Sequence, residues 1–111
     1  MASLSYQAGE AYYIPLNHDD DSVDQLALDI VLKELRPLLE SSSNKIIGQN
    51  IKFDKNVLAK YGVDIASIKN DTMMMSYVLD ASATRHNLDA LSSYYLNYKT
   101  STFEDVALSL I

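Results

Sequence analysis

Cysteine is absent from the 111 residues. That excludes a disulfide scaffold, thiol catalysis and a Cys-ligated zinc site, and it fits a reducing compartment. No apolar run approaches the ~20 residues needed to cross a bilayer, so no membrane partner is expected. The opening Met1-Ala2-Ser3-Leu4-Ser5-Tyr6 has neither a basic n-region nor an apolar h-region. A secretory leader is therefore not expected, and the expected location is cytoplasmic. Positive charge is also scarce, with 9 Lys and Arg against 15 Asp and Glu and a net charge of −6. A duplex-DNA binder driven by bulk charge is disfavoured. A nucleic-acid enzyme that works through local contacts and metal ions stays open.

What is present suffices for one small domain. Apolar residues make up 48% and charged residues 22%, enough to build a core and too apolar for disorder. The acidity is uneven. Residues 1–44 hold two bases and eight acids, whereas residues 45–111 hold seven of each. Asp19, Asp20, Asp21 and Asp24 form the centre of the acidic part. They read as a solvated loop leading into a helix. They do not read as an EF-hand, because no Gly stands at the turn position and no Glu closes the loop.

No internal repeat or low-complexity tract interrupts the chain. Gly9-Glu10 separates Leu4-Ser5-Tyr6 from Ala11-Tyr12-Tyr13-Ile14-Pro15-Leu16, which predicts a β-hairpin over 4–16. Ser22 and Gln25 have the spacing of a capping box. Val23, Leu26, Ala27, Ile30, Val31, Leu35, Leu38 and Leu39 then recur every three or four residues, predicting a helix over 22–40 with Pro37 disturbing its last turn. Ile46-Ile47-Gly48 reads as a short buried strand. A helix from about Asn50 to Tyr61 follows, with Phe53, Val57, Leu58 and Tyr61 as its buried stripe and Gly62 as its C′ residue. Asp71 can cap a third helix, apolar nearly all round through Met73, Met74, Met75, Tyr77, Val78 and Leu79, hence buried. Asn87 can cap a fourth, with Leu88, Leu91, Tyr95 and Tyr98 on one face. The order implies an α/β fold with a mixed sheet, yet three short strands make a poor sheet for four helices.

The junction Gly48-Gln49-Asn50-Ile51-Lys52-Phe53-Asp54 carries the most chemical information. Polar groups at the C-terminal end of a strand lie where open α/β sheets bind ligands. Gly48 admits close approach of a ligand or another chain. Asn50 and Asp54, four apart on a helix, would share a face and could hold a metal and a substrate oxygen together. Taken alone, a helical Asp is usually a plain surface carboxylate.

The ordered context adds to this. Gly48-Gln49-Asn50-x-x-Phe53-Asp54 resembles the second exonuclease motif of the 3′–5′ proofreading domain of bacterial DNA polymerase I. The hairpin strand Ala11 to Leu16 with His18, the helix end Leu35-Arg36-Pro37-Leu38-Leu39-Glu40, and Leu58-Ala59-x-Tyr61-Gly62 look similar to that family. Asp71-Thr72-Met73, Tyr77-x-Leu79, Arg85-His86-x-Leu88-Asp89-x-Leu91, Tyr95-Leu96, Lys99-Thr100 and Phe103-Glu104 continue the likeness in order. It runs from about Leu4 to Val106. Ribonuclease-D-like enzymes of the same superfamily share the Asn-x-x-x-Asp logic but usually carry His where Gln49 stands.

The resemblance implies a ribonuclease-H-like exonuclease domain that removes nucleotides from a single-stranded DNA 3′ end. In such domains two Mg²⁺ ions, with Mn²⁺ as a substitute, sit roughly 4 Å apart. Asp54 matches a metal-binding catalytic carboxylate. Gln49 and Asn50 match positions touching the terminal nucleotides, and Phe53 one that packs beside them. Arg85 matches a basic residue near the strand, and Phe103 an aromatic facing the terminal bases, which suits stacking on single-stranded DNA. For Phe53 and Phe103 core packing is the plain alternative, and for Arg85 a salt bridge. His18 reads as structural, His86 as making a helix-start hydrogen bond and not as catalytic, Asp71 as an N-cap, and the Met73-Met74-Met75 run as core filler. A polymerase domain of the same parent protein is the implied partner.

Other parts of the family pattern are missing. No Asp-x-Glu precedes the hairpin, and no Tyr-x-x-x-Asp follows Phe103. One carboxylate of four remains, too few for two Mg²⁺ ions. Residues 1–111 therefore read as a partial exonuclease domain without its first, central strand and last helices, inactive by itself. The other reading is a non-catalytic module that binds nucleic acid or pairs its strand edges with a partner. A domain without its central strand is expected to be marginally stable or to self-associate through exposed edges. Concentration-dependent association in analytical ultracentrifugation is the expected result; a stable monomer with a sharp thermal transition is the contrary one.

Overall fold

The computed structural model describes residues 2–16 and 24–101. A hairpin opens the chain: β1 (Ala2–Leu4) pairs antiparallel with β2 (Tyr12–Ile14), in the register Ala2 to Ile14 and Leu4 to Tyr12. Ser5 and Tyr6 belong to the turn and not to the strand, because the Ser5 hydroxyl bonds the Gln7 and Glu10 carbonyls at 2.9 and 2.6 Å. Gly9 supplies the positive φ of +83° that the turn requires.

Helix α1 (Leu28–Glu40) starts later than the capping-box pattern predicts. Ser22 and Val23 lie outside the described residues, but Asp24 to Ala27 are not helical and Ala27 is extended. A side-chain cap contributes only about 1 kcal/mol. Leu26 is exposed, so no packed surface supports an earlier turn. The helix continues past Pro37 to Glu40. Its last carbonyls find donors elsewhere: the Asn44 side chain bonds the Leu38 carbonyl at 2.9 Å, and the Ala66 N–H bonds that of Leu39 at 3.0 Å.

Strand β3 (Ile46–Gly48) leads into α2 (Ile51–Ala59) and then β4 (Ile68–Asp71), which runs parallel to β3. The pairing sets Gly48 opposite Asp71. Helices α3 (Thr72–Leu79) and α4 (Leu88–Leu96) complete the described residues. The Schellman end of α2 is as expected, with Val63 N–H on Leu58, Gly62 N–H on Ala59 and Gly62 at φ +72°.

Among the described residues the strands form two two-stranded sheets, one antiparallel and one parallel, where the sequence reading expects one mixed sheet. Strand β4 had no signal in Ile68-Lys69-Asn70-Asp71, since Asn and Asp are poor strand formers. It forms because β3 is available as a parallel partner.

The core is small and holds Leu16, Val31, Leu39, Ile51, Val63, Ile65 and Leu91. Helix α3 is not buried all round. Val78 is 89% exposed, and Leu79, Met74, Met75 and Tyr77 are exposed as well. The stripe expected on α2 is also uncovered: Phe53, Val57 and Tyr61 are exposed, and Ile51 is the residue that reaches the core. On α4 only Leu91 of the predicted face is buried; Leu88, Tyr95 and Tyr98 are exposed. An open apolar cleft of about 1080 Å³ lies between α3 and α4, walled by Met75, Val78, Leu79, Leu91 and Tyr95. The sequence pattern sets apolar side chains on these helices, and the described residues leave them uncovered.

This distribution predicts unequal mutational costs. Ile65→Ala should destabilise by about 2–5 kcal/mol through loss of a core side chain. Val78→Ser should stay within about 0.5 kcal/mol, as for a free surface position. Urea unfolding of both variants checks this, and a large loss from Val78→Ser would mean that the α3 face is covered in solution.

Candidate functional site

Asp71 organises the junction. Its Oδ1 accepts the backbone N–H of Met73 at 2.9 Å and of Met74 at 3.4 Å, capping α3 as the sequence predicts. The same Oδ1 accepts the Asn50 N–H at 3.0 Å, and Oδ2 accepts the Ile51 N–H at 2.9 Å. One carboxylate thus satisfies orphan donors at the starts of two helices. The sequence reading found the first role and missed the second, because that one needs the β3–β4 pairing that brings residues 50 and 71 together.

Asn50 is not on the helix. It is the left-handed residue before α2, at φ 55° and ψ 49°, a conformation that Asn tolerates better than most residues. The expected i, i+4 sharing of a helix face with Asp54 therefore does not hold. Gly48 also has a more local reason than ligand approach. A Cβ there would collide with the Ile51 side chain, standing 3.0 Å from the Ile51 Cβ.

Asp54 sits in the first turn of α2. Partial burial of its carboxyl, followed by the negative charge of Asp71, pushes its pKa above the usual carboxylate value. Asp71 is shifted the other way. Burial acts to raise its pKa, but the four backbone N–H donors outweigh it and hold the carboxyl below the ordinary range.

Gln49 is held at both ends of its amide. Its Nε2 donates to the His86 carbonyl at 2.8 Å, and its Oε1 accepts the Thr72 hydroxyl. Arg85, next to His86, is exposed and makes no ion pair among the described residues, so the salt bridge considered for it is not seen. Phe53 is 64% exposed and is not a core residue. Phe103 and His18 lie outside the described residues. His86 does not make the helix-start bond expected of it, because the Asn87 side chain caps α4; its Nδ1 lies 2.7 Å from the Ser76 hydroxyl and its Nε2 2.9 Å from the Ala81 carbonyl. Gln49, Asn50 and Asp54 thus share one junction with Asp71, and Gln49 joins it to the 85–86 loop.

The residues do not fit a two-metal centre by themselves. Among the described residues no three His, Cys, Asp or Glu converge. Asp71 is taken up by backbone donors, which leaves Asp54 as a lone carboxylate. The large α3–α4 cleft touches Asp71 and Thr72 but not Gln49, Asn50 or Asp54, so it is an uncovered packing surface and not this site.

The opposed shifts give a stability signature. Asp54 binds its proton more tightly in the fold, so its contribution is most favourable at low pH and is lost as pH rises through the raised pKa. Asp54→Asn should therefore raise stability at pH 7, and the gain should vanish below about pH 4. Asp71 has the reverse sign: its support is full above the ordinary carboxylate pKa and fades as pH falls through the depressed one. Asp71→Ala should cost about 2 kcal/mol at pH 7, the upper end for a cap, since two helix starts lose their acceptor. Urea titrations at a series of pH values test both.

Known proteins place the chain in a family. A family model described as 3′–5′ exonuclease matches residues 1–108. The DNA polymerase I of Pseudomonas aeruginosa is 46% identical over 108 residues, covering 95% of this chain and 12% of that protein. That of Rhizobium leguminosarum is 36% identical over 106 residues, covering 87% and 10%. That of Synechocystis is 32% identical over 102 residues, covering 92% and 10%. The chain thus spans about a tenth of the length of these relatives. Its short sheets and helices agree with a piece of a ribonuclease-H-like exonuclease domain. The chain belongs to the 3′–5′ exonuclease family, in the form carried by DNA polymerase I.

Proposed function

We infer that this chain provides the second exonuclease motif of a DNA polymerase I proofreading domain. In this reading Asp54 is one of the carboxylates of the nuclease centre. Gln49, Asn50, Phe53 and Arg85 address the terminal nucleotides of a single-stranded DNA 3′ end, and Phe103 joins them. The observation that carries it is the β3–α2 junction. Gln49, Asn50 and Asp54 stand just beyond the C-terminal end of a strand in a parallel pair, the ligand-binding end of open α/β sheets. The exposure of Phe53 and Arg85 supports it, since both are free to meet a strand.

The described residues supply one carboxylate, so no hydrolytic step is assigned to this chain alone. Mg²⁺ or Mn²⁺ binding belongs to a domain that also carries the other acidic motifs. A polymerase domain as partner, action in replication and repair, and a cytoplasmic setting follow from the same reading.

A second reading has its own observation. The open cleft between α3 and α4 suits a non-catalytic interaction module. The two readings part at Asp54. In a domain completed with an Asp-x-Glu strand and a Tyr-x-x-x-Asp helix, Asp54→Ala should lower hydrolysis of a 3′-labelled single strand at least about 100-fold, a loss typical for a group that stabilises the transition state. An unchanged rate would remove Asp54 from the centre. The chain of 111 residues by itself should release no nucleotide in the same assay.

A further inference from the structure

Gln49 and His86 are 37 residues apart in sequence, yet they are joined by a hydrogen bond of 2.8 Å from the Gln49 amide to the His86 backbone carbonyl. A carbonyl in a loop is a useful anchor only if the loop itself is fixed. Here the His86 side chain fixes it from three directions. Its ring stacks on Tyr77 with centroids 3.7 Å apart and planes 27° from parallel. Its Nε2 is 2.9 Å from the Ala81 carbonyl, and its Nδ1 is 2.7 Å from the Ser76 hydroxyl. The Ala81 carbonyl can only accept, so Nε2 carries the hydrogen. In the neutral ring Nδ1 then accepts from Ser76, a serine buried to 4% exposure in α3. Thr72, one turn earlier on the same helix, holds the other end of the Gln49 amide.

We propose that His86 is a positioning residue for Gln49: with Ser76 and Thr72 it makes α3 the template on which the Gln49 amide is set toward the DNA 3′ end. The proposal rests on the reading of Gln49 as a nucleotide-contacting residue. Each polar end of the amide makes one bond to a protein partner, which fixes its plane and leaves one N–H and one lone pair for a strand. A side chain fixed before binding loses less conformational freedom when a strand arrives. The same loop carries Arg85, so one histidine sets the spacing between an amide and a cation that face the same strand.

The test uses the full chain and a fluorescent single-stranded oligodeoxynucleotide with a free 3′ hydroxyl, read by anisotropy. Gln49→Ala should weaken binding about tenfold, the effect of one well-placed hydrogen bond. His86→Ala should weaken it by a similar factor, and the double variant should lose no more than either alone. His86→Asn, whose amide oxygen can still accept from Ser76, should recover part of the affinity. If the two losses multiply, His86 acts only through general stability and the proposal is overturned. If Gln49→Ala binds as well as the parent, the underlying reading of Gln49 has failed, and the proposal falls with it. If Gln49→Ala weakens binding while His86→Ala does not, the positioning role alone is refuted. Should His86→Ala fail to fold, Ser76→Ala replaces it in the cycle, and the imidazole ¹⁵N shifts of the unaltered chain give a second measurement. An Nε2–H tautomer supports the proposal and an Nδ1–H tautomer overturns it.

Discussion

The Asp71 carboxylate, with backbone N–H groups of Asn50, Ile51, Met73 and Met74 on its two oxygens, is the point on which the junction turns. Helix starts leave donors without intrahelical partners, and two such starts meet here. A single acceptor group serves both because β3 and β4 run parallel and bring Gly48 level with Asp71. Remove that pairing and α2 loses its acceptor, Asn50 loses the reason for its left-handed turn, and Gln49 no longer reaches Thr72. The charge balance of the site follows from the same bond set. Donors hold Asp71 ionised, and its charge adds to burial in making the neighbouring Asp54 a weaker acid.

The rest of the described structure is held more loosely. Seven buried apolar side chains serve four helices, and the outer face of α3 stays open to solvent. The open faces fit a chain that spans about a tenth of its relatives. Cross-ties supply part of what packing does not. Arg36 reaches the Gly62 carbonyl at 3.0 Å and Glu40 accepts the Asp64 N–H, so α1 is stitched to the end of α2. Lys55 does the same for α2 and the 64–65 segment. These contacts are exposed or half-buried and individually small. They orient the elements and do not substitute for a core.

Much of the site was legible in local sequence. The Gln49 to Asp54 stretch was identifiable because its residues are contiguous, and Asp71 and Asn87 declared themselves as caps by their place before helical runs. Periodicity located the helices but misjudged what covers them, since an apolar face shows only that a partner is wanted. The start of α1 was misread for a related reason: a capping pair is a weak preference, and an unpacked turn does not hold. The expected face shared by Asn50 and Asp54 failed because one left-handed residue ends the helical geometry between them.

Sequence alone determined the family, the order of most elements, the caps of α3 and α4 and the Gly62 end of α2, because each rests on contiguous residues and local backbone preference. Tertiary structure decided what depends on pairs far apart in the chain: the parallel β3–β4 ladder, the second role of Asp71, the Gln49 bond to the His86 carbonyl and the opposed shifts of two carboxylates. Hydrogen bonds and charges act through distance in space, and separations of about twenty and 37 residues leave no trace in local propensity.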